Sequence, residues 1–307
     1  MHPSLFPMLE QAGLPYRYEP SFKRPHILNQ IGDYEGLIIR SKTAIDEEIL
    51  EQAPRLRFVA RAGAGLDMID LDAASQRNIQ VFAANEGNRD SVAEHVVGML
   101  LGLLANIVKA DREVRQGVWD REGNRGIELM GKTVGLIGYG FNGSAAARRL
   151  SGFGCRVLAY DKYLTHYGDD YAQEATLERL MAEADVISLH VPLTDETRLM
   201  VNDDFVAKAA RPFFLLNIAR GEIVRLASVV KGLESGKIRG ACLDVLENEK
   251  LNTLTPDQQK AFDYLRTSTR VILTPHVAGW TQESYVKINE VLVKQIMAGL
   301  QVSKPEH

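Results

Sequence analysis

The sequence predicts an α/β protein built as two doubly wound, parallel-sheet domains. Short apolar runs alternate with amphipathic stretches through the first third, a second series of the same kind starts at Lys132, and a glycine-rich turn follows that series' opening run. At 307 residues, 45% hydrophobic and 25% charged, the chain carries core-forming material for two domains.

Residues 4–12 read as a helix, with Leu5, Met8, Leu9 and Ala12 at helical spacing behind Ser4 as cap. A parallel α/β unit ordinarily opens with a strand, so the first strand of this sheet is expected to be absent from the chain as given. Strand signals then fall at Gly36–Arg40, Leu56–Ala60 and Ile79–Ala83, with helices between them at Asp46–Gln52 and Leu71–Arg77. Ser91-Val-Ala-Glu94 reads as a capping box, in which serine and glutamate satisfy each other's backbone donors, and its helix is expected to run to about Ala110. The second series places strands at Lys132–Ile137, Arg156–Tyr160, Asp185–His190, Phe213–Asn217, Ile238–Leu243 and Val271–Thr274. No repeat of fixed period and no low-complexity tract is present.

Net charge is -4 with both signs interspersed, which leaves no electrostatic footprint for nucleic acid or an anionic membrane. A small molecule is the expected partner. Cys155 and Cys242 sit in apolar, strand-like settings, so no disulfide framework and no metal cluster is expected. The first residues lack the basic-then-apolar order of a signal peptide, and the longest apolar run, Val96–Ala105, is too short to span a bilayer. A cytoplasmic protein is expected.

Gly138-Tyr-Gly140-Phe141-Asn142-Gly143 follows an apolar strand and opens an alanine-rich helix, Ser144–Leu150. The first glycine permits a tight turn, the second lets backbone approach a diphosphate, and the third lets helix and strand pack closely. The helix then offers free amide donors to the anion. The next strand ends at Asp161, where an acid meets the adenosine ribose hydroxyls. A carboxylate there would repel the 2'-phosphate of NADP, although Lys162 keeps that exclusion from being absolute, and NAD is the expected cofactor. The plain alternative is a turn that merely packs a helix.

Three further segments each follow a strand: Asn217-Ile-Ala-Arg220-Gly221, Leu243-Asp244-Val-Leu-Glu-Asn-Glu249 and Thr274-Pro-His276-Val-Ala-Gly279. Open α/β sheets place ligand-binding groups there. Reducing a ketone leaves negative charge on oxygen, so a proton donor and a nearby cation lower the barrier. His276 is the candidate acid, Glu249 the carboxylate that orients it, and Arg220 the planar cation for a substrate carboxylate and carbonyl. Singly, each has a structural reading too: a loop cap, a solvated loop acid, a surface ion pair.

With the glycine loop, Arg61-Ala-Gly-Ala-Gly65 and the Asn88–His95 segment, these motifs resemble the D-isomer-specific 2-hydroxyacid dehydrogenase family over nearly the whole chain. The resemblance implies a flavodoxin-like substrate domain (1–103 and 279–307) and a Rossmann NAD-binding domain (104–278). It implies that the backbone of Ala64 and Gly65 receives the substrate carboxylate, and that Ala219, Asp244 and Gly279 meet the nicotinamide end. His190, Val191, Pro192 and Thr197 would line the adenosine side. His190 and His95 stay structural or peripheral in this reading. Hinges near Leu101–Asn106 and Ala278–Glu283, a final helix returning to the first domain, and a homodimer are further implications. Lys250 and Trp280 depart from the family pattern, the second where it would narrow or cover the substrate pocket.

Arg61 and Arg121 match basic positions of the phosphoglycerate dehydrogenases in this family, the second reaching across from a partner subunit. The reading therefore leans to D-3-phosphoglycerate and 3-phosphohydroxypyruvate, the chemistry of serine biosynthesis, and feedback control through an appended serine-binding domain is not expected. Both arginines could instead be solvated surface charges. A glyoxylate, hydroxypyruvate or other 2-keto acid reductase is the alternative enzyme, and an NAD(H)-sensing corepressor-like scaffold the alternative of another class.

Overall fold

The computed structural model describes residues 1–302 and divides the chain into two compact units, Met1–Arg89 together with the chain from Trp280 onward, and Asp90–Gly279. The division falls earlier than 103/104. Val92, Val96, Met99, Leu100 and Leu103 of the intervening helix are buried in the second unit's core, which assigns that helix to it.

The first unit holds strands β1 (Gly36–Ile39), β2 (Phe58–Arg61) and β3 (Gln80–Ala83), parallel in the order β1-β2-β3. Helices α1 (Leu5–Gln11), α2 (Arg24–Gln30), α3 (Glu47–Glu51) and α4 (Leu71–Gln76) precede or link them. Asp46 and Asp70 cap α3 and α4 by accepting amides of Ile49 and Ala73, which anchors both helix starts. One buried cluster gathers Ile39, Ile45, Ile49, Leu50, Val59 and Ile69; another gathers Phe58, Ala60, Ile288, Leu292 and Ile296, so the sheet is covered on both faces. Ser4 does not cap α1 through its side chain; its hydroxyl accepts from Asn289 in the final helix instead. That helix closes this unit, and Gly87 has to be glycine because a Cβ would stand 2.6 Å from Ile288 Cα.

In the second unit, α5 (Arg89–Leu104) starts before Ser91 and ends before Ala110. The Ser91 hydroxyl donates to the Ala278 carbonyl at 2.7 Å, so it is a tertiary anchor rather than a cap. Asn106 takes a left-handed conformation (φ 55°) and turns the chain by 60° into α6 (Ile107–Arg115). The segment Leu101–Asn106, where a hinge is expected, lies inside the second unit and ends at this bend. No single helix among the described residues is long and apolar enough to cross a membrane.

Strands β4 (Thr133–Ile137), β5 (Arg156–Tyr160), β6 (Gln173–Glu174), β7 (Val186–Leu189), β8 (Phe213–Asn217), β9 (Ile238–Leu243) and β10 (Val271–Leu273) form one parallel sheet, order β10-β9-β8-β7-β4-β5-β6. Strand order reverses between β4 and β7, the switch point at which open α/β sheets bind ligands. Helices α7 (Phe141–Leu150), α8 (Leu177–Glu183), α9 (Asp203–Lys208), α10 (Leu226–Glu234) and α11 (Pro256–Thr267) cover it, and α12 (Gln282–Val302) belongs to the first unit. The helix expected at Ser144 begins at Phe141, inside the glycine turn, with Gly140 as N-cap.

Candidate active site

The glycine turn lies at the switch point, and the structure separates the tasks of its glycines. Gly138 has φ 98°, and a Cβ there would stand 2.7 Å from the His190 carbonyl oxygen; a Cβ on Gly143 would stand 2.2 Å from the Gly138 carbonyl oxygen. Those two are demanded by packing. At Gly140 a Cβ would meet no protein atom within 4 Å, so the absent side chain leaves open space at the N-terminus of α7. Beside it, Asn142 Oδ1 and His190 Nδ1 are buried without a hydrogen-bond partner among the described residues. The open glycine cradle, with the free amides of a helix N-terminus, fits a dinucleotide diphosphate.

Asp161 anchors the neighbouring loop. One carboxylate oxygen accepts the Tyr139 amide at 2.9 Å and the other accepts the Tyr163 and Leu164 amides. Lys162 turns away to Glu196 at 2.6 Å, a carboxylate that also accepts from the Tyr163 hydroxyl. His190 bonds Ser188 through Nε2, and burial holds its pKa down at about 4, so the ring is neutral. The segment beyond it, with Val191 and Pro192, is tied by the Thr197 hydroxyl donating to the Pro192 carbonyl at 2.7 Å.

At the ends of β8, β9 and β10, buried polar groups fix three loops. Asn217 is fully buried; its amide donates to the Arg220 carbonyl at 2.9 Å and its carbonyl accepts the Ala219 amide at 3.1 Å. Gly221 then passes so close to the next loop that a Cβ would lie 1.7 Å from the Leu246 carbonyl oxygen. The sequence marks Asn217 and Gly221 only as the ends of a motif and gives neither a role, although a buried-strand asparagine and an Arg-Gly pair are the available signals.

Asp244, 1% exposed, organises the third loop by accepting from the Thr274 hydroxyl (2.5 Å) and the Val277 and Ala278 amides (both 2.9 Å). Burial pushes its carboxyl up, but these bonds and His95, at 3.5 Å, outweigh burial and hold it below the usual carboxylate range. His95 also meets the Thr274 hydroxyl at 3.1 Å. This framework sets His276 in the left-handed region (φ 56°), its amide donating to the Asp244 carbonyl at 2.7 Å. The ring's Nδ1 meets Glu249 at 2.9 Å. The bond to Glu249 raises the imidazole pKa, against burial and the opposing charge of Arg220. The charge of Arg220 thus acts on the ring that Glu249 holds. Nε2 is the ring nitrogen Glu249 leaves unengaged.

In the first unit, the loop carrying Ala64 and Gly65 leaves the carboxyl end of β2. Arg61 braces it, donating to the carbonyls of Gly65 and Arg40. Arg40, just past β1, stacks its guanidinium on Trp280 (4.5 Å) and Tyr285 (4.2 Å). Trp280 is thus bound into a cation and aromatic cluster of this unit. Arg121 is exposed on the segment after α6.

Comparison with known proteins gives a consistent picture. The NAD-binding domain of D-isomer specific 2-hydroxyacid dehydrogenases matches residues 97–278. A D-3-phosphoglycerate dehydrogenase of Archaeoglobus fulgidus is 33% identical over 291 residues, 94% of this chain and 54% of that protein. A glyoxylate reductase of Thermofilum pendens is 35% identical over 289 residues, 92% of this chain and 83% of that protein. A D-lactate dehydrogenase from Aquifex aeolicus, crystallised with NAD and lactic acid, superposes with TM-score 0.82 at 28% identity, covering 98% and 94% of the two chains. The chain spans about half the length of the phosphoglycerate dehydrogenases it matches.

Proposed function

The chain belongs to the D-isomer specific 2-hydroxyacid dehydrogenases, with their NAD-binding domain, and from that premise we propose that it reduces the C2 carbonyl of a small 2-keto acid, and oxidises the corresponding D-2-hydroxy acid, with NAD as cofactor. The observation that carries the reading is the Glu249–His276 pair with the charge of Arg220 acting on it. When bound, NADH supplies the hydride. Glu249 accepts from Nδ1 and fixes the ring, so Nε2 holds the proton delivered to the carbonyl oxygen, and Arg220 binds the substrate carboxylate and stabilises charge developing on that oxygen. The amides of Ala64 and Gly65, past the carboxyl end of β2, offer donors to a carboxylate. Gly138, Gly140, Phe141, Asn142 and Gly143 hold the diphosphate, Asp161 the adenosine ribose, and His190 through Thr197 the adenosine side. Ala219, Asp244 and Gly279 frame the nicotinamide end.

Arg40 and Arg61, at the carboxyl ends of adjacent parallel strands, favour a substrate with a second anionic group, as in 3-phosphohydroxypyruvate. The relatives themselves divide between phosphoglycerate dehydrogenases and glyoxylate reductases. A panel of 3-phosphohydroxypyruvate, hydroxypyruvate and glyoxylate with NADH tests the reading: equal efficiency with and without phosphate removes the phosphate site, and no turnover of any 2-keto acid removes the enzyme.

The proposed cytoplasmic enzyme works as a homodimer. On α6 and the segment after it, Ile107, Val114, Val118, Trp119 and Met130 are exposed, Trp119 at 80%, an apolar surface of the kind that associates. Trp119→Glu should convert a dimer to a monomer in analytical ultracentrifugation, and an unchanged sedimentation coefficient would refute this surface.

A further inference from the structure

Three residues on one face of α5 meet the loop that carries His276. Ser91, His95 and Met99 follow one another at four-residue spacing, which stacks their side chains along a helix. The buried Ser91 hydroxyl donates to the Ala278 carbonyl at 2.7 Å, at the far end of the loop. At its near end, His95 Nε2 lies 3.1 Å from the Thr274 hydroxyl and 3.5 Å from Asp244. The Met99 sulfur adjoins the same hydroxyl at 3.7 Å. Counting hydrogens fixes the direction of these bonds. Thr274 has one hydroxyl hydrogen, and the Asp244 carboxylate, at 2.5 Å, takes it. The Thr274 oxygen is left to accept, so His95 Nε2 carries a hydrogen and donates it.

Between the two gripped ends lies the strained residue. His276 has φ 56°, in the left-handed region that a residue bearing a Cβ disfavours by about tenfold. Such a conformation persists only where its surroundings over-determine it. Asp244 supplies part of that constraint, accepting the Val277 and Ala278 amides through its carboxylate and the His276 amide through its carbonyl. We propose that Ser91 and His95 are positioning residues, through which α5 holds the His276 loop at both ends and keeps the imidazole facing Glu249. The inference rests on His276 being the proton donor of the reaction proposed above. Neither residue acts on the substrate; each acts through the loop. Loss of either donor frees one end, and the backbone relaxes towards the conformations that histidine ordinarily prefers.

The test compares His95→Phe and Ser91→Ala, which remove the donors, with His95→Gln, whose amide can place an N–H near the position of Nε2. Steady-state reduction of the best 2-keto acid is paired with hydrogen exchange, read by mass spectrometry on the peptide covering residues 274–279 of the full chain without cofactor. In His95→Phe and in Ser91→Ala, kcat should fall about tenfold and the Val277 and Ala278 amides should exchange about tenfold faster, while KM for NADH changes by less than about twofold. His95→Gln should recover most of both losses. Wild-type exchange in both donor-less variants, faster exchange with undiminished kcat, or a His95→Gln enzyme as impaired as His95→Phe would each overturn the proposal. Exchange is read without substrate, so it decides the grip on the loop even where the wild type reduces no 2-keto acid, the result that would instead remove the proposed function.

Discussion

Substituting Gly221 by alanine tests whether the active-site loops owe their placement to mutual contact. A Cβ there would lie 1.7 Å from the Leu246 carbonyl oxygen and 2.2 Å from its carbon, whereas real Cβ atoms keep at least 3.0 Å. The loops must open by at least the 1.3 Å between 1.7 and 3.0 Å. Leu246 leads into Glu249, and Gly221 follows Arg220, whose carbonyl Asn217 fixes from below. The opening therefore falls between the guanidinium and the Glu249–His276 pair. A misplacement of about 1 Å costs around 10²-fold in rate, and overpacking of this kind costs roughly 1–3 kcal/mol of stability. Steady-state reduction of the best 2-keto acid should show turnover down about a hundredfold, with NADH affinity, measured by fluorescence titration, nearly unchanged because the glycine turn is untouched. Wild-type turnover in a folded Gly221→Ala enzyme would refute the loop-contact account.

Gly140→Ala is the converse: with no protein atom near the new Cβ, the melting temperature should hold while NADH affinity falls at least roughly tenfold, and unchanged affinity would place the diphosphate elsewhere. Glu249→Gln removes the partner that raises the His276 pKa; the protonated ring then persists only to lower pH, so reduction should fail at lower pH than in the wild type, and an unmoved pH profile would take Glu249 out of the mechanism. Arg220→Ala should lower kcat/KM by roughly 10²–10³-fold with NADH binding intact, and a collapse of NADH binding instead would reassign the residue to the cofactor.

Strands were legible because β7 and β8 are buried throughout and read as nearly continuous apolar runs, and β8 and β9 lie where the periodicity puts them, β9 with Arg239 exposed. Local rules misled where a side chain serves a distant partner. Ser91 and Glu94 have capping-box spacing, yet the serine hydroxyl belongs to Ala278, far along the chain. Apolar residues on either side of Asn106 suggest one helix, and only a left-handed backbone at that asparagine breaks it. The motif residues Arg220, Glu249 and His276 could be picked out by chemistry, but the groups that place them, Asn217, Gly221, Thr274 and Asp244, act through contacts between loops that no spacing encodes.

The Asp161 loop has a consequence for anyone wishing to retool the enzyme for a phosphorylated dinucleotide. The lysine that could greet the extra phosphate is already present, but it is detained by Glu196, and the offending acid stitches together three backbone amides. Exchanging Asp161 alone would unravel the turn before it recruited the cation. A redesign should begin at Glu196, releasing Lys162, and replace the acid only with a side chain that keeps accepting those amides.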